Sequence, residues 1–209
     1  MYDWLKRQPC TKLVQRKLKS LDQLQHEDYD LVVNCTGPGA KYFVNDDNLK
    51  PISGHVLRVS APWAHFVMAA AEDVYVIPKY VITVWAPYYC VVTIFFSFSR
   101  DALVVGSINK FNNWDRSIDA IDGKDARFIL NRCAEQLYPR LKDAEILGQW
   151  IGLRPFRVGG VRLEHEIFNG KLNVIHNYGH GGCGVTLSWG CAGEVVELAK
   201  SLMRNKSLL

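Results

Sequence analysis

The sequence lacks the patterns that identify several classes of protein. Its 6 cysteines form no C-x-x-C pair, and no histidines and cysteines have the spacing of a zinc site. No long run of lysine or arginine occurs and the net charge is only +4, so we expect no nucleic-acid partner. Residues 1–25 are polar and charged, unlike a signal peptide. These absences indicate free thiols in a reducing compartment and a protein without a metal site.

Charge is missing from one internal segment. Residues 80–99 contain no charged side chain over 20 positions, and Lys79 and Arg100 flank them. That length is just enough to span a bilayer, whereas Pro87 and several tyrosine, serine and threonine residues weaken the apolar character. The segment is therefore compatible with a membrane span or with a strand hairpin that turns near residues 86–87.

A glycine-rich segment lies between a strand pattern and a helix pattern. Residues 172–175 form a short apolar run, and glycines follow at positions 179, 181, 182 and 184. Apolar residues then recur with helical spacing at positions 192, 195, 196, 199, 202 and 203. Glycine allows close approach of the backbone to a ligand, and the start of a helix offers unpaired N–H groups. The segment predicts either a site for an anionic or electron-rich ligand or a tight turn that binds nothing.

The remaining patterns predict a mixed α/β (α+β) fold with many short, mostly antiparallel strands. Strand patterns occur at residues 13–18, 29–34, 52–59, 74–78 and 102–106. Residues 161–164 and 171–175 read as a hairpin around Asn169-Gly170. Helices are predicted at residues 20–26, with Ser20 as the cap, and at 125–138, with Ile129, Leu130, Cys133 and Leu137 on one face and Pro139 as the stop.

Three polar residues have positions that suit ligand binding. Arg154 lies in an apolar run before Pro155, so its planar guanidinium could meet a carboxylate with two parallel hydrogen bonds. Thr36 follows a strand pattern, where α/β sheets often expose backbone to a cofactor, and Tyr75 begins another strand. The structural alternatives are an arginine bonded to loop carbonyls, an ordinary turn at Thr36 and a tyrosine that only packs.

Several blocks of the chain resemble one enzyme family. The run His176-Asn177-Tyr178-Gly179-His180-Gly181-Gly182 and the following residues to Ala192 look like the C-terminal motif of the D-amino-acid oxidase and D-aspartate oxidase family. Further similar blocks stand in the same order at residues 33–37, 61–63, 75–78, 113–114, 152–157 and 161–164. The resemblance implies the C-terminal part of such a flavoprotein, in which a mixed sheet is joined to antiparallel strands of a substrate-binding region.

The resemblance implies a reaction and a set of site residues. The family binds FAD non-covalently and oxidises neutral D-amino acids or D-aspartate with O2, giving 2-oxo acids, ammonia and hydrogen peroxide. By resemblance, Arg154 and Tyr75 would bind the substrate carboxylate, and the carbonyl of Gly182 would receive the amine. The cofactor-binding residues would be Arg16, Leu18, Thr36, Gly181, Gly182, Cys183, Gly184, Val185 and Thr186. The resemblance also allows a homodimer.

The chain departs from the family pattern in several places. We find no strand, G-x-G-x-x-G loop and helix of the kind that forms the family's dinucleotide-binding βαβ unit; the match begins at Leu13, and we expect about 140 residues of such a unit to be missing. Ala71 replaces a second active-site tyrosine, no arginine stands near Phe66, and Cys183 replaces an aromatic residue or glycine. Residues 80–100 interrupt the family spacing, so we expect an inserted hydrophobic segment that forms a protruding hairpin or poorly packed loop.

These observations leave alternatives for function and location. The chain is an FAD-dependent D-amino-acid oxidase, or an inactive fragment or interaction module of that family, or a single-span membrane protein. We expect it to bind FAD weakly or not at all without a pyrophosphate-binding half. Its final residues, Ser207-Leu208-Leu209, resemble a peroxisomal address that lacks the basic middle residue. We therefore expect a peroxisomal location, with the cytoplasm as the alternative.

Overall fold

Two sheets organise the part of the chain that the computed structural model describes, which is residues 2–70, 74–78, 102–117 and 123–206. The larger sheet has five antiparallel strands in the order β3 (Met68–Ala69), β4 (Tyr75–Pro78), β5 (Ala102–Phe111), β2 (Leu49–Ser60) and β6 (Ile146–Arg157). The 12-residue strand β2 pairs along its length with both β5 and β6. The strand patterns at 52–59, 74–78 and 102–106 are therefore confirmed, and β5 continues five residues beyond Gly106.

The main hydrophobic core lies between this sheet and helix α3 (Gly123–Gln136). Ile129, Leu130 and Cys133 are fully buried on the predicted helix face. They pack against alternate side chains of the sheet strands, including Leu57 and Val105. The helix ends at Gln136, before a 3-10 helix at Pro139–Asp143, because proline lacks the N–H that an α-helix needs.

The smaller sheet contains β1 (Val32–Asn34), β8 (Leu172–Tyr178) and β7 (Arg162–Phe168) in that order. Strands β7 and β8 form the predicted hairpin, and Asn169 and Gly170 have φ values of 49° and 71°. Positive φ at both central residues is typical of the tight turn that suits the twist of a hairpin. Strand β1 runs parallel to β8, so their carboxyl ends lie at the same edge of the sheet.

The glycine-rich segment joins β8 to the long helix α4 (Gly184–Lys206) through a 3-10 helix at Gly181–Cys183. The predicted order of strand, glycine loop and helix is confirmed, and the helix begins eight residues earlier than residue 192. The shorter helices are α1 (Tyr2–Lys6), α2 (Ala40–Phe43) and 3-10 helices at Leu21–Leu24 and Gly37–Gly39. None of the helices in the described ranges is both long enough and apolar enough to cross a membrane.

Three local predictions fail in whole or in part. Residues 13–18 form no strand, because no strand in the described ranges pairs with them, and the side chains from Leu13 to Lys17 are exposed. The strand at 29–34 shrinks to β1, where Val33 is 44% exposed because the strand lies at the sheet edge. Ser20 precedes the 3-10 turn but makes no side-chain capping bond. Ala71 and residues 80–100 and 207–209 lie outside the described residues.

Candidate active site

Arg154 lies on β6 with two neutral hydrogen-bond partners. Its Nη2 donates to the hydroxyl oxygen of Tyr75 at 3.2 Å, and its Nη1 donates to the side-chain oxygen of Asn109. Within the described ranges no ion pair involves Arg154. The positive charge is therefore oriented by a phenol and an amide and is not neutralised by either, which suits a site that binds an anion.

Two glycines make room for these side chains. Gly54 of β2 lies under the guanidinium, and a Cβ atom added there would overlap Nη1 of Arg154. Gly106 of β5 lies under Tyr75, and a Cβ atom there would overlap the phenol ring and its oxygen. The register pairs Tyr75 with Gly106 directly. The close approach of both side chains to the sheet thus requires glycine at two strand positions.

The glycine loop, defined as residues 179–184, packs over Arg154. A Cβ atom on Gly182 would lie 3.6 Å from Cδ of Arg154, and one on Gly181 would lie 3.6 Å from Cδ2 of Phe156. Phe156 also meets Phe111 edge to face, with ring centroids 5.9 Å apart. The structure therefore brings Gly182, Arg154 and, through Arg154, Tyr75 into one cluster with an aromatic wall.

The backbone of the glycine loop has the conformation that the sequence pattern predicts. Gly179 and Gly181 have φ values of 93° and 58°, which side chains with a Cβ rarely adopt. A Cβ on Gly179 would also lie 2.8 Å from Cβ of Arg157. The glycines at 179, 181 and 184 have G-x-G-x-x-G spacing between β8 and α4, so the expectation that no such motif occurs was wrong. Such a loop points backbone N–H groups towards a ligand.

Thr36 lies at the same edge of the small sheet as the glycine loop. The two follow the parallel strands β1 and β8, and the 3-10 turns behind them both contact β6. The backbone N–H and the hydroxyl of Thr36 donate to the side-chain oxygen of Asn34 at 3.2 and 2.7 Å. The Thr36 loop, defined as residues 36–39, is therefore a second wall beside the glycine loop.

The region between the two loops, called the flavin crevice, has groups that fit a flavin. The 3-10 turn and the first turn of α4 supply N–H donors, and glycines 181 and 182 leave space that side chains would fill. The side chain of Asn177 bonds the thiol of Cys35, and its buried oxygen has no hydrogen-bond partner among the described residues. A buried acceptor without a partner is costly unless a ligand or water satisfies it. The residues present thus fit a planar ligand rich in hydrogen-bonding groups.

The other predicted cofactor residues have less defined surroundings. Arg16 forms an ion pair with Glu27 at an exposed position, and Leu18 is half-buried. Neither is hydrogen-bonded to the glycine loop in the described part of the chain. Cys183, Val185 and Thr186 are exposed in the last turn of the loop and the first turn of α4. Their assignment to a cofactor stays a prediction.

Sequence reasoning missed the residues that support Arg154 and Thr36. Asn109 orients the guanidinium, Gly54 and Gly106 lie beneath the two side chains, and Asn34 binds the Thr36 loop. The available signal was the isolated glycine within each strand pattern, which often marks a close approach of another group. Asn109 carried no such signal, because its role depends on strand register.

Comparison with known proteins gives consistent matches. The model of the FAD dependent oxidoreductase family matches residues 3–198. D-aspartate oxidase 1 of Caenorhabditis elegans is 35% identical over 202 residues, which cover 94% of this chain and 53% of that protein. D-amino acid oxidase of Dugesia ryukyuensis is 33% identical over 203 residues, covering 94% and 54%. The chain thus spans about half the length of the curated relatives that it matches.

A solved structure shares the fold at lower identity. The crystal structure of glycine oxidase from Geobacillus kaustophilus has a TM-score of 0.61 at 20% identity, over 84% of this chain and 42% of that one. This likeness concerns the arrangement of sheets and helices alone.

Proposed function

This chain belongs to the family of FAD-dependent oxidoreductases that includes the D-amino-acid and D-aspartate oxidases, and from that premise we propose that it carries the substrate site of an enzyme that oxidatively deaminates D-amino acids. The observation that supports this most directly is the cluster of Arg154, Tyr75 and Gly182 beside the glycine loop. It brings a guanidinium and a phenol hydroxyl together with the backbone of Gly182.

Arg154 would bind the carboxylate of the amino acid. Its remaining N–H groups form a planar fork that can meet two carboxylate oxygens. Tyr75 accepts a bond from Arg154, so its hydroxyl lies beside the guanidinium, where it would meet the same carboxylate. Asn109 and Gly54 hold the guanidinium in place before a ligand arrives, which lowers the cost of ordering it.

Gly182 would orient the other end of the substrate. Its carbonyl oxygen would accept a hydrogen bond from the amine, while Arg154 would hold the carboxylate. With both ends of the substrate held, the Cα–H bond would point in one fixed direction. When bound, FAD supplies the chemistry by accepting the hydride from Cα and passing two electrons to O2, which yields hydrogen peroxide. The N–H groups of the glycine loop would stabilise the negative charge that develops beside them.

We infer that the substrate has a neutral side chain. Among the described residues beside Arg154 on this face of the sheet, Asn109, Phe111 and Phe156 are uncharged. Aromatic walls favour apolar side chains, whereas a second carboxylate beside them would be penalised by desolvation unless it reached Lys50 of β2, which pairs with Phe156. D-Alanine and larger neutral D-amino acids should therefore react faster than D-aspartate.

Variants at Arg154 test the proposal. The 209-residue chain is saturated with FAD, and peroxide formation and anaerobic bleaching of the flavin are measured with D-alanine, D-methionine and D-aspartate. Arg154→Ala should lower kcat/KM by about 10²–10⁴-fold, because two charge-assisted hydrogen bonds are lost. Arg154→Lys should recover only part of this, because lysine keeps the charge and loses the fork.

Arg58→Ala is the matched control, since Arg58 is an exposed arginine of the neighbouring strand. Equal activity of the Arg154→Ala and Arg58→Ala proteins would contradict the assigned role of Arg154. Faster oxidation of D-aspartate than of D-alanine would contradict the inferred substrate class.

A second candidate is a non-catalytic interaction module. Helix α4 favours it, because much of the helix is exposed, including Val185, Leu187, Val196 and Trp189, which is 85% exposed. Apolar exposure on this scale is typical of a surface that another polypeptide covers. Absence of both flavin bleaching and peroxide in the FAD-saturated chain would favour this function over the oxidase.

We also infer a peroxisomal location, which would confine the hydrogen peroxide that the reaction releases. The support is the terminal Ser207-Leu208-Leu209, which has the outer residues of a Ser-Lys-Leu address. A tagged protein that stays in the cytosol with and without these three residues would exclude this signal.

A further inference from the structure

A continuous chain of polar side chains connects the Thr36 loop to strand β6. It joins the smaller sheet to the larger one beneath the glycine loop, and most of its hydrogen bonds are buried or half-buried. Its members, in order of contact, are Thr36, Asn34, His176, Glu166, Arg162, Tyr178, Asp46 and Arg157.

The direction of the hydrogen bonds is fixed from the Thr36 end. The backbone N–H of Thr36 can only donate, so the atom of Asn34 that it meets at 3.2 Å is the amide oxygen. The amide nitrogen of Asn34 must then face Nδ1 of His176, at 3.1 Å. Because that nitrogen only donates, Nδ1 must carry a lone pair and no proton.

The tautomer of His176 follows. A neutral imidazole with a bare Nδ1 carries its hydrogen on Nε2, and this atom lies 2.9 Å from the carboxylate of Glu166. The hydrogen bonds that link Glu166, His176, Asn34 and Thr36 are therefore all formed with only one placement of the hydrogens. A proton on Nδ1 of His176 would place its N–H opposite the NH₂ group of Asn34, so that two donors faced each other. The amide of Asn34 would then have to turn its oxygen away from Thr36.

We propose that His176 is a positioning residue for the flavin crevice: in its neutral form it holds Asn34 in the one orientation that anchors the Thr36 loop. The proposal rests on the proposed function only in assigning that loop to a flavin. His176 is fully buried and has no contact with the crevice itself among the bonds described, so it acts through Asn34.

The surroundings of His176 favour the neutral form. Burial lowers the pKa of His176, the cation of Arg162 on β7 lowers it further, and the carboxylates of Glu166 and Glu164 on the same strand only partly offset these effects. From β1 the ring meets the uncharged Asn34, and on β8 it meets Tyr178 edge to face. Acidification below the usual histidine range should therefore release the Thr36 loop.

The test compares two amides that each replace one ring nitrogen. His176→Asn places its oxygen near the Nδ1 position and keeps an acceptor for Asn34, whereas His176→Gln reaches the Nε2 position and leaves Asn34 without one. The readouts are the long-range ¹H–¹⁵N spectrum of His176 and the hydrogen-exchange protection factor of the Thr36 amide, both in the FAD-free chain. His165→Asn is the control, because His165 is a half-buried histidine on β7 that bonds Asn173.

We expect a bare Nδ1 in the native chain at pH 7 and a Thr36 protection factor that falls as the pH decreases below the usual histidine pKa of about 6.5. His176→Gln should lose about tenfold of this protection at pH 7, the equivalent of one hydrogen bond. His176→Asn should keep most of it and lose the pH dependence, and His165→Asn should behave like the native chain.

A proton on Nδ1 at pH 7, or equal protection of Thr36 in the Asn and Gln variants, would overturn the proposal. Addition of FAD to the same samples separates it from the proposed function. If the exchange pattern is as expected but FAD never adds protection to residues 36–39 or 179–184, the flavin assignment fails while the anchoring of the loop stands.

Discussion

The guanidinium of Arg154 is held in place while its charge stays unneutralised by its hydrogen-bond partners, because its neighbours lack a side chain at one position and a charge at two others. Gly54 has no side chain, so the guanidinium can lie against β2. Asn109 and Tyr75 carry no charge, so they direct the N–H groups without competing with an anionic ligand. The geometry of one cation is therefore set by residues on three other strands.

The variant Gly54→Ala should separate positioning from stability. The new methyl group would overlap Nη1 of Arg154, which lies at the end of a flexible side chain. We expect the free energy of unfolding to change by less than about 1 kcal/mol, because the guanidinium can move. Its bonds to Tyr75 and Asn109 should break, and the shift of the Arg154 Nε–H resonance on titration with D-alanine should be lost.

Gly152→Ala is the matched control, since Gly152 pairs directly with Gly54 and a Cβ there would meet open space. An Nε–H resonance that still responds to D-alanine in the Gly54→Ala protein would contradict the account of this glycine.

His55 shows the opposite situation, a buried polar group without partners. It is only 5% exposed, and neither ring nitrogen has a hydrogen-bond partner among the described residues, although Gln149 lies close. Burial lowers the pKa of His55; Gln149 and the carboxylate of Asp125 on α3 oppose this, and Lys110 adds to it. The unfolded chain, with a histidine pKa of about 6.5, therefore binds this proton more readily than the folded chain.

Stability should consequently fall as the pH decreases below about 6.5 and should be fully present above it. His55→Leu removes the titrating group and the unpaired nitrogens, so it should gain about 1 kcal/mol at pH 8 and more at pH 5.5. Urea unfolding at both pH values measures this. A gain that does not depend on pH, or an equal gain from His65→Leu at an exposed position, would count against it.

Among the helices and strands, the sequence predicted correctly those that depend on interactions between residues close in the chain. The β7–β8 hairpin followed from Asn169-Gly170, and α3 followed from its apolar face. The strand at 13–18 was wrong, because an apolar pattern forms a strand only when another strand pairs with it. Asn109 and Gly106 could not be assigned to the site, because that requires the register of β5 against β2 and β4.

The register of β4 and β5 also gives a prediction for the uncharged segment. Pro78 pairs with Leu103, so deletion of residues 80–100 leaves residues 79, 101 and 102 between them. A three-residue connection is common in hairpins. We expect the shortened chain to have a higher soluble yield and an unchanged circular dichroism spectrum, since the deletion removes an apolar, uncharged stretch.

A deletion variant with a yield equal to or below that of the full chain would contradict the view that residues 80–100 are an insertion. A shift of the unfolding midpoint to lower urea would indicate that they contribute to the fold.

For the whole molecule, the resemblance carried more information than composition did. The family and the mixed α/β fold are confirmed by the matching family model and by the two sheets. Arg154, Tyr75 and Gly182 lie in one cluster, and the roles that the resemblance implies for them stay predictions. Composition alone predicted a globular chain and no more, because oxidases and many other enzymes share it.

The central proposal is that the glycine loop would contact the isoalloxazine ring of FAD and not its phosphates. The alternative is a contact with the phosphates, because the G-x-G-x-x-G spacing at residues 179–184 also suits a pyrophosphate. The 209-residue sequence has no second segment of this kind. One loop cannot serve both ends of the cofactor.

Titration of the chain with FAD and, separately, with riboflavin, followed by flavin fluorescence, tests this most directly. We predict weak quenching by both, with Kd values within about tenfold of each other, because the ring is the part they share and a phosphate contact would add a larger difference. Gly181→Val should abolish both. Binding of FAD more than about a hundredfold tighter than riboflavin, or no quenching by either flavin, would contradict the claim.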